Sequence, residues 1–169
     1  GRLQMYEVGR DAAHQRQIGL IRDLRLAPAN AELLLHYQPK LDIAAGRVRQ
    51  AEALLRWQHP SVGDVPPGLF LPLLEEARLI SRLGSWIYQN SAGQRKAWET
   101  LFGEDLVLSV SLSSTQFGMP NLVTELRQVL ERHGLQARHL EVEVTEEALM
   151  HNPEETRKQL RLLHNLGVR

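Results

Sequence analysis

Between Arg49 and Trp57 the chain alternates in a way that restricts its fold more than any other stretch does. Read as a strand, Gln50, Glu52, Leu54 and Arg56 share one face, and Ala51, Ala53, Leu55 and Trp57 share the other, because side chains alternate along an extended chain. The second face is apolar and calls for helices to cover it. The first places a carboxylate and a guanidinium on the same face of an otherwise hydrophobic strand, and charges withdrawn from water need partners. A metal ion with a phosphate would satisfy both groups. Salt-bridge partners, or solvent at a sheet edge, would do so as well.

The rest of the chain supplies elements of matching kind. Asp11 to Leu26 reads as a helix with a thin apolar stripe of Ile18, Ile21, Leu24 and Leu26, suited to a connector or to a helix docked on a larger body. Pro28 ends it. Leu33 to Leu41 is a strand with His36, Gln38 and Lys40 on one parity, and Asp42 to Arg47 is a turn into the Val48 to Trp57 strand. His59 to Gly68 holds three prolines and two glycines and reads as a long loop, a natural place for a binding lid. Helices are expected over Leu69 to Ile80 and Ser85 to Thr100, then a strand over Leu106 to Ser113. A helix over Asn121 to His133 is closed by Gly134, and a strand follows over His139 to Thr145. The last helix is Pro153 to Leu166, capped by Asn152 and followed by Gly167, and Val168-Arg169 begins another strand.

Strands alternating with helices after an initial hairpin argue for an α/β fold with parallel strands. Several of these strands carry a polar face, with Gln38, Glu52, Arg56, Ser111, Glu141 or Glu143. An open doubly wound sheet buries both faces and reads as continuous apolar runs, whereas a barrel gathers polar residues at its mouth. A closed α/β barrel takes about 250 residues. The 169 residues present fit an incomplete TIM-like (β/α) barrel, about its first half, over residues 31–169, preceded by an N-terminal linker helix within residues 1–30.

Twenty basic and twenty acidic residues cancel, which argues against a nucleic-acid polymer or an anionic membrane surface as partner. With no cysteine there are no disulfides, thiolate metal sites or cysteine nucleophiles. The absence of cysteine fits a reducing cytosol, where the segment is expected; no apolar run approaches the roughly 20 residues of a membrane span, which leaves open a parent protein tethered to a membrane. Glu52, Glu143 and Glu141, with the group at position 111, are hard oxygen donors that suit Mg²⁺ or Mn²⁺ better than zinc, with His36 and His59 only peripheral. A hard dication beside Arg56 and Gln38 suits a phosphodiester substrate.

The run Tyr37-Gln38-Pro39-Lys40, then Glu52-Ala53-Leu54-Leu55-Arg56-Trp57 with His59-Pro60, Pro66-Pro67, Phe70-Leu71-Pro72 and Glu75-Glu76, resembles the EAL family of cyclic-di-GMP phosphodiesterases. Leu83-Gly84-Ser85-Trp86, Val110-Ser111-Leu112-Ser113 with Gln116, and Leu140 to Glu146 continue the resemblance in order, from Leu33 to the end. The resemblance implies a TIM-like barrel in which Mg²⁺ or Mn²⁺ activates water to cleave cyclic-di-GMP to linear pGpG. It implies that Glu52 and Glu143 are catalytic metal ligands, that Gln38, Leu54 and Arg56 contact the dinucleotide, and that Glu146 steadies the loop after the fifth strand. Position 111 matches a metal-binding asparagine but is serine here, and Arg78 stands where a glycine is usual. The family's paired aspartates and a later lysine, glutamate and glutamine have no counterpart among these residues, so this polypeptide alone is expected not to hydrolyse cyclic-di-GMP.

Met5-Tyr6 and Gly9-Arg10 faintly resemble the tail of a GGDEF domain, which would make the first helix an interdomain segment of a tandem GGDEF and EAL protein. The alternative to a phosphodiesterase module is a degenerate EAL domain serving as a non-catalytic cyclic-di-GMP receptor or protein-interaction module. Ser111 favours that alternative, while Glu52, Arg56, Glu143 and Glu146 favour the enzyme. An open barrel edge would also permit homodimerisation or other self-association.

Overall fold

The computed structural model describes residues 8–103 and 105–169. Met5-Tyr6 lies outside the described residues. The elements in order are α1 (Val8–Leu24), β1 (Leu33–Asp42), β2 (Arg47–His59), β3 (Gly63–Val65), α2 (Pro67–Glu76), α3 (Ile80–Phe102), β4 (Val107–Leu112), α4 (Ser114–Phe117), α5 (Leu122–His133), β5 (Leu140–Val144), α6 (Glu146–His151) and α7 (Pro153–Leu166).

The strands form one sheet in the order β1-β2-β4-β5, with the short β3 pairing to β2. β1 and β2 are an antiparallel hairpin, whereas β2, β4 and β5 run parallel. Each parallel step is made by helices: α2 and α3 between β2 and β4, α4 and α5 between β4 and β5. This is the expected incomplete TIM-like barrel. At its far side the backbone of Val142 donates to the carbonyl of Arg169 (2.8 Å) and Arg169 donates to that of Leu140 (3.1 Å), so Val168-Arg169 does begin to pair with β5.

The alternation in β2 governs the packing. Ala51 and Ala53 join Leu108, Val110, Leu112, Phe117 and Leu126 in one buried cluster under α3, α5 and α7. Leu55 and Trp57 belong to a second, with Val65, Phe70, Leu74 and Ile80. Leu24 and Ala27 complete that second cluster, so the end of the N-terminal segment is docked, while Ile18 and Leu26 stay exposed.

Three boundaries differ from expectation. The His59 to Gly68 stretch is not all loop: Val65 pairs with Trp57 in β3, because both side chains bury fully there. The α2 helix opens early at Pro67, a proline in its first turn, where the missing N–H costs nothing. The next helix starts at Ile80 rather than Ser85 and carries Gly84 in its interior. A Cβ on Gly84 would lie 2.7 Å from Gln116 Nε2, so glycine is what lets α3 approach the turn after β4.

Candidate functional site at the carboxyl ends of the parallel strands

The polar face of the sheet is assembled by register. Gln38 lies opposite Glu52 across the hairpin, Glu52 beside Ser109, and Ser111 beside Glu143. No single strand carries the site; three parallel strands and the hairpin bring it together.

At its centre is Lys40. Its ammonium contacts the carboxylates of both Glu52 (3.3 Å) and Glu143 and reaches Ser109 Oγ at 3.4 Å. The hydrogen bond to the Glu143 carboxylate holds the Lys40 pKa above its usual value; desolvation opposes it, and the hydrogen bond to Glu52 adds a smaller upward push. The Glu52 and Glu143 side chains are 20% and 32% exposed, so this pairing is only partly screened by solvent. On the charged face of β2, Glu52 thus has a salt-bridge partner in Lys40.

Above this cluster, at the carboxyl ends of β2, β4 and β5, lies a cleft of about 290 Å³ lined by Leu54, Arg56, Leu71, Glu75, Ser111 and Thr145 among others. Substrate sites of α/β barrels sit at this end of the strands. Arg56 is half-buried at the rim, where its Nη1 donates to the Leu55 carbonyl (2.8 Å). A guanidinium has five N–H groups, so others remain for an anion. A wider cavity of about 480 Å³ opens at the other strand ends, where the cationic side chains of Lys40, Arg49, Arg138 and Arg169 outnumber the carboxylates of Asp42 and Asp105.

The turn carrying Ser113 into α4 is braced from behind. Gln116 Oε1 accepts from the Ser113 backbone N–H (2.9 Å), and its Nε2 donates to Tyr88 Oη on α3 (2.7 Å). Gln116 is 3% exposed, which makes this a buried tie between the cleft wall and the helix layer.

The expected site residues divide accordingly. Glu52 and Glu143 converge, and Leu54, Arg56 and Ser111 line the cleft next to them. Gln38 is exposed and does not line the cleft. Glu146 is the exposed first residue of α6, outside the cleft wall, and the cap of that helix is Thr145, whose hydroxyl accepts from Ala148 N–H (3.2 Å). Glu141 turns instead to Gln50. His59 holds its own turn together. The Ser61 and Val62 backbone N–H groups donate to its Nδ1 (3.1 and 3.2 Å), leaving Nε2 to donate to Asp23 Oδ2 at 3.1 Å. Sequence reasoning places Lys40 on the Gln38 parity but gives it no role, because its two partners come from strands that are not neighbours in the chain. It also misses Glu75 and Leu71 as cleft residues; helical spacing carries no hint that α2 closes the site.

The donor set has the chemistry for a hard dication, and two carboxylates already converge on one cation. Among the described residues, no group of three or more His, Asp or Glu side chains is placed to hold a metal ion. The two carboxylates share the Lys40 ammonium as their common partner.

Sheet order, hairpin entry and an acidic polar face at the carboxyl strand ends define the class: part of a TIM-like barrel domain with a hard-oxygen mouth. The sequence model of the EAL domain matches residues 21–169, and the chain belongs to the EAL domain family. It is 39% identical over 163 residues to the bifunctional diguanylate cyclase/cyclic di-GMP phosphodiesterase MucR of Pseudomonas aeruginosa, covering 96% of this chain and 24% of MucR. It is 38% identical over 152 residues to the cyclic di-GMP phosphodiesterase NbdA of the same organism, covering 90% of this chain and 19% of NbdA. The fold superposes on the MucR phosphodiesterase in its c-di-GMP complex with a TM-score of 0.84 at 39% identity, over 89% of this chain and 61% of that one. The chain thus spans a quarter or less of these curated relatives.

Proposed function

We propose that this chain is the first part of a metal-dependent cyclic-di-GMP phosphodiesterase domain, which in its complete form hydrolyses cyclic-di-GMP to linear pGpG. The observation that carries the reading is the convergence of Glu52 and Glu143 on one cation, next to a cleft whose rim holds Arg56. Glu52 and Glu143, with the Ser111 hydroxyl beside them, would hold Mg²⁺ or Mn²⁺. The bound ion supplies Lewis-acid chemistry at a phosphodiester.

The chain's own residues do the rest. Arg56 donates to a non-bridging phosphate oxygen, a charge-assisted hydrogen bond that fixes the phosphate relative to the carboxylates. Leu54 and Leu71 offer apolar surface to a base, while the Gln116 brace holds the Ser113 turn at the cleft wall. The first helix is read as a linker from an upstream domain, in the manner of tandem GGDEF and EAL proteins.

With two acidic ligands the 169-residue chain binds the dinucleotide but does not turn it over. Calorimetry with cyclic-di-GMP, with Mn²⁺ and with chelator, and chromatography for pGpG test both halves. Binding that is stronger with Mn²⁺, without product above a Glu52→Gln control, is the expected result. Product above that control overturns the inactivity of the isolated chain, and no binding under either condition overturns the ligand.

The receptor alternative draws on one observation, the serine at position 111, since a hydroxyl is a shorter and weaker neutral ligand than an amide carbonyl. Cyclic-di-GMP binding that is indifferent to Mn²⁺ would favour it.

A further inference from the structure

We propose that Lys40 is a tethered cation that occupies the space between Glu52 and Glu143 when no divalent ion is there, and so sets how tightly that ion binds. This rests on the reading of Glu52 and Glu143 as ion ligands. The two carboxylates come from β2 and β5, which are separated in the sheet by β4, and like charges drawn together across a strand need a counter-charge. Lys40 provides it from a different strand, with Glu52, Glu143 and Ser109 as acceptors for an ammonium that has three protons to give.

The setting of Lys40 suits a cation that can leave. Its strand lies at one edge of the sheet, and the hairpin register breaks immediately after it, between Lys40 and Leu41. Such irregularities re-aim a side chain near a site. Lys40 also lines the 480 Å³ cavity, so its four-carbon stem can carry the ammonium out of the acidic pair into a solvated space, where the Asp42 carboxylate is already shared with Arg49 (3.6 Å). An arriving dication replaces two partly exposed salt bridges, so its apparent affinity is reduced by what those bridges contribute. Lys40 touches no substrate in this scheme. It is a positioning residue, acting through Glu52 and Glu143.

The test uses the full chain and Mn²⁺ alone, without nucleotide. Calorimetry is run on the wild type, Lys40→Gln, Lys40→Arg and Glu143→Gln, alongside metal-free and Mn²⁺-loaded thermal unfolding. Removing the competitor in Lys40→Gln should tighten Mn²⁺ binding about tenfold, the equivalent of two partly exposed ion pairs. Lys40→Gln should also melt earlier without metal and gain more from Mn²⁺ than the wild type does. Lys40→Arg, which keeps the charge, should keep the wild-type affinity, and Glu143→Gln should weaken it. A lysine with a merely structural part would lower the metal-free midpoint without tightening Mn²⁺. Equal or weaker Mn²⁺ binding in Lys40→Gln overturns the role of Lys40 and leaves the ion reading standing, and no Mn²⁺ binding by any of the four proteins overturns both.

Discussion

Arg56 and Trp57 are neighbours in the chain and belong to different worlds. Trp57 is fully buried, set edge-on against Phe70 (ring centroids 5.9 Å apart), with its Nε1 donating to Glu32 Oε2 at 3.2 Å. Arg56 is half-buried at the rim of the cleft, tied to the protein by a bond to a neighbouring carbonyl. The sheet uses one face to hold the fold and the other to assemble charge. What differs is the partner: the apolar face is satisfied by helices that this chain supplies, whereas on the polar face the Glu52 and Glu143 carboxylates share one lysine.

The difference is broken most severely at Trp57. Trp57→Ala opens a cavity beneath β2 and β3 and should cost about 3–5 kcal/mol in urea unfolding, enough to unfold much of a marginally stable population. Arg56→Ala should do the reverse. Its unfolding free energy should stay within about 0.5 kcal/mol of the wild type, while cyclic-di-GMP binding by calorimetry weakens by about 1.5–3 kcal/mol, the worth of a hydrogen bond to a charged group. If both substitutions act on stability alone, the division of the sheet into a structural and a binding face is wrong.

A third change separates helix ends instead of sheet faces. The α2 helix closes with the Leu79 N–H donating to the Leu74 carbonyl (2.8 Å) and the Arg78 N–H to that of Glu75 (3.0 Å). The same pair of bonds closes α5 at Gly134 and α7 at Gly167, whose φ values are 62° and 95°. Arg78 adopts φ 55°, a left-handed conformation that a side chain disfavours. That is the physical content of a position where the family resemblance leads one to expect glycine. Arg78→Gly should raise stability by about 1 kcal/mol in denaturant titration, after allowing for the added freedom of glycine in the unfolded chain.

The same contrast explains what could be read in advance. The β2 alternation, the Gly134 and Gly167 stops and the Asn152 cap are local: each depends on a few consecutive residues and a backbone rule, and each is found where expected. The helix over 153–166 matches to the residue. β3 and the short helices α4 and α6 are not legible, because Val65 is a strand residue only by virtue of Trp57, and helices of four and six residues are too short to show a periodicity. Parity puts Glu52, Arg56, Ser111 and Glu143 on the polar strand faces and the family resemblance adds Leu54; in the structure Glu52 and Glu143 meet at Lys40, while Leu54, Arg56 and Ser111 line the cleft. Lys40 could not be assigned, since its meaning depends on register across three strand pairings and on a bulge.

The gentlest test lies on the helix-covered side, at Glu125 of α5. This carboxylate accepts a hydrogen bond from the Ser85 hydroxyl on α3, and burial raises its pKa above the ordinary carboxylate range. Its charge in turn helps burial to raise the pKa of Tyr88, part of the Gln116 brace. A carboxyl whose folded-state pKa exceeds its unfolded value binds its proton more tightly in the folded chain. The resulting stability is fully present below the unfolded pKa and is lost as pH rises through the raised one. At neutral pH, therefore, Glu125 opposes folding. Glu125→Gln keeps an oxygen for Ser85 and removes the charge, so it should be more stable than the wild type at neutral pH. The gap should close as pH falls below the ordinary carboxylate range. The effect should be smaller than any above and is read by denaturant unfolding of both proteins across that interval. A gap that persists unchanged into acid would mean that packing, and not the desolvated charge, separates Gln from Glu there, and that the helix layer carries no electrostatic penalty to set against the one on the polar face.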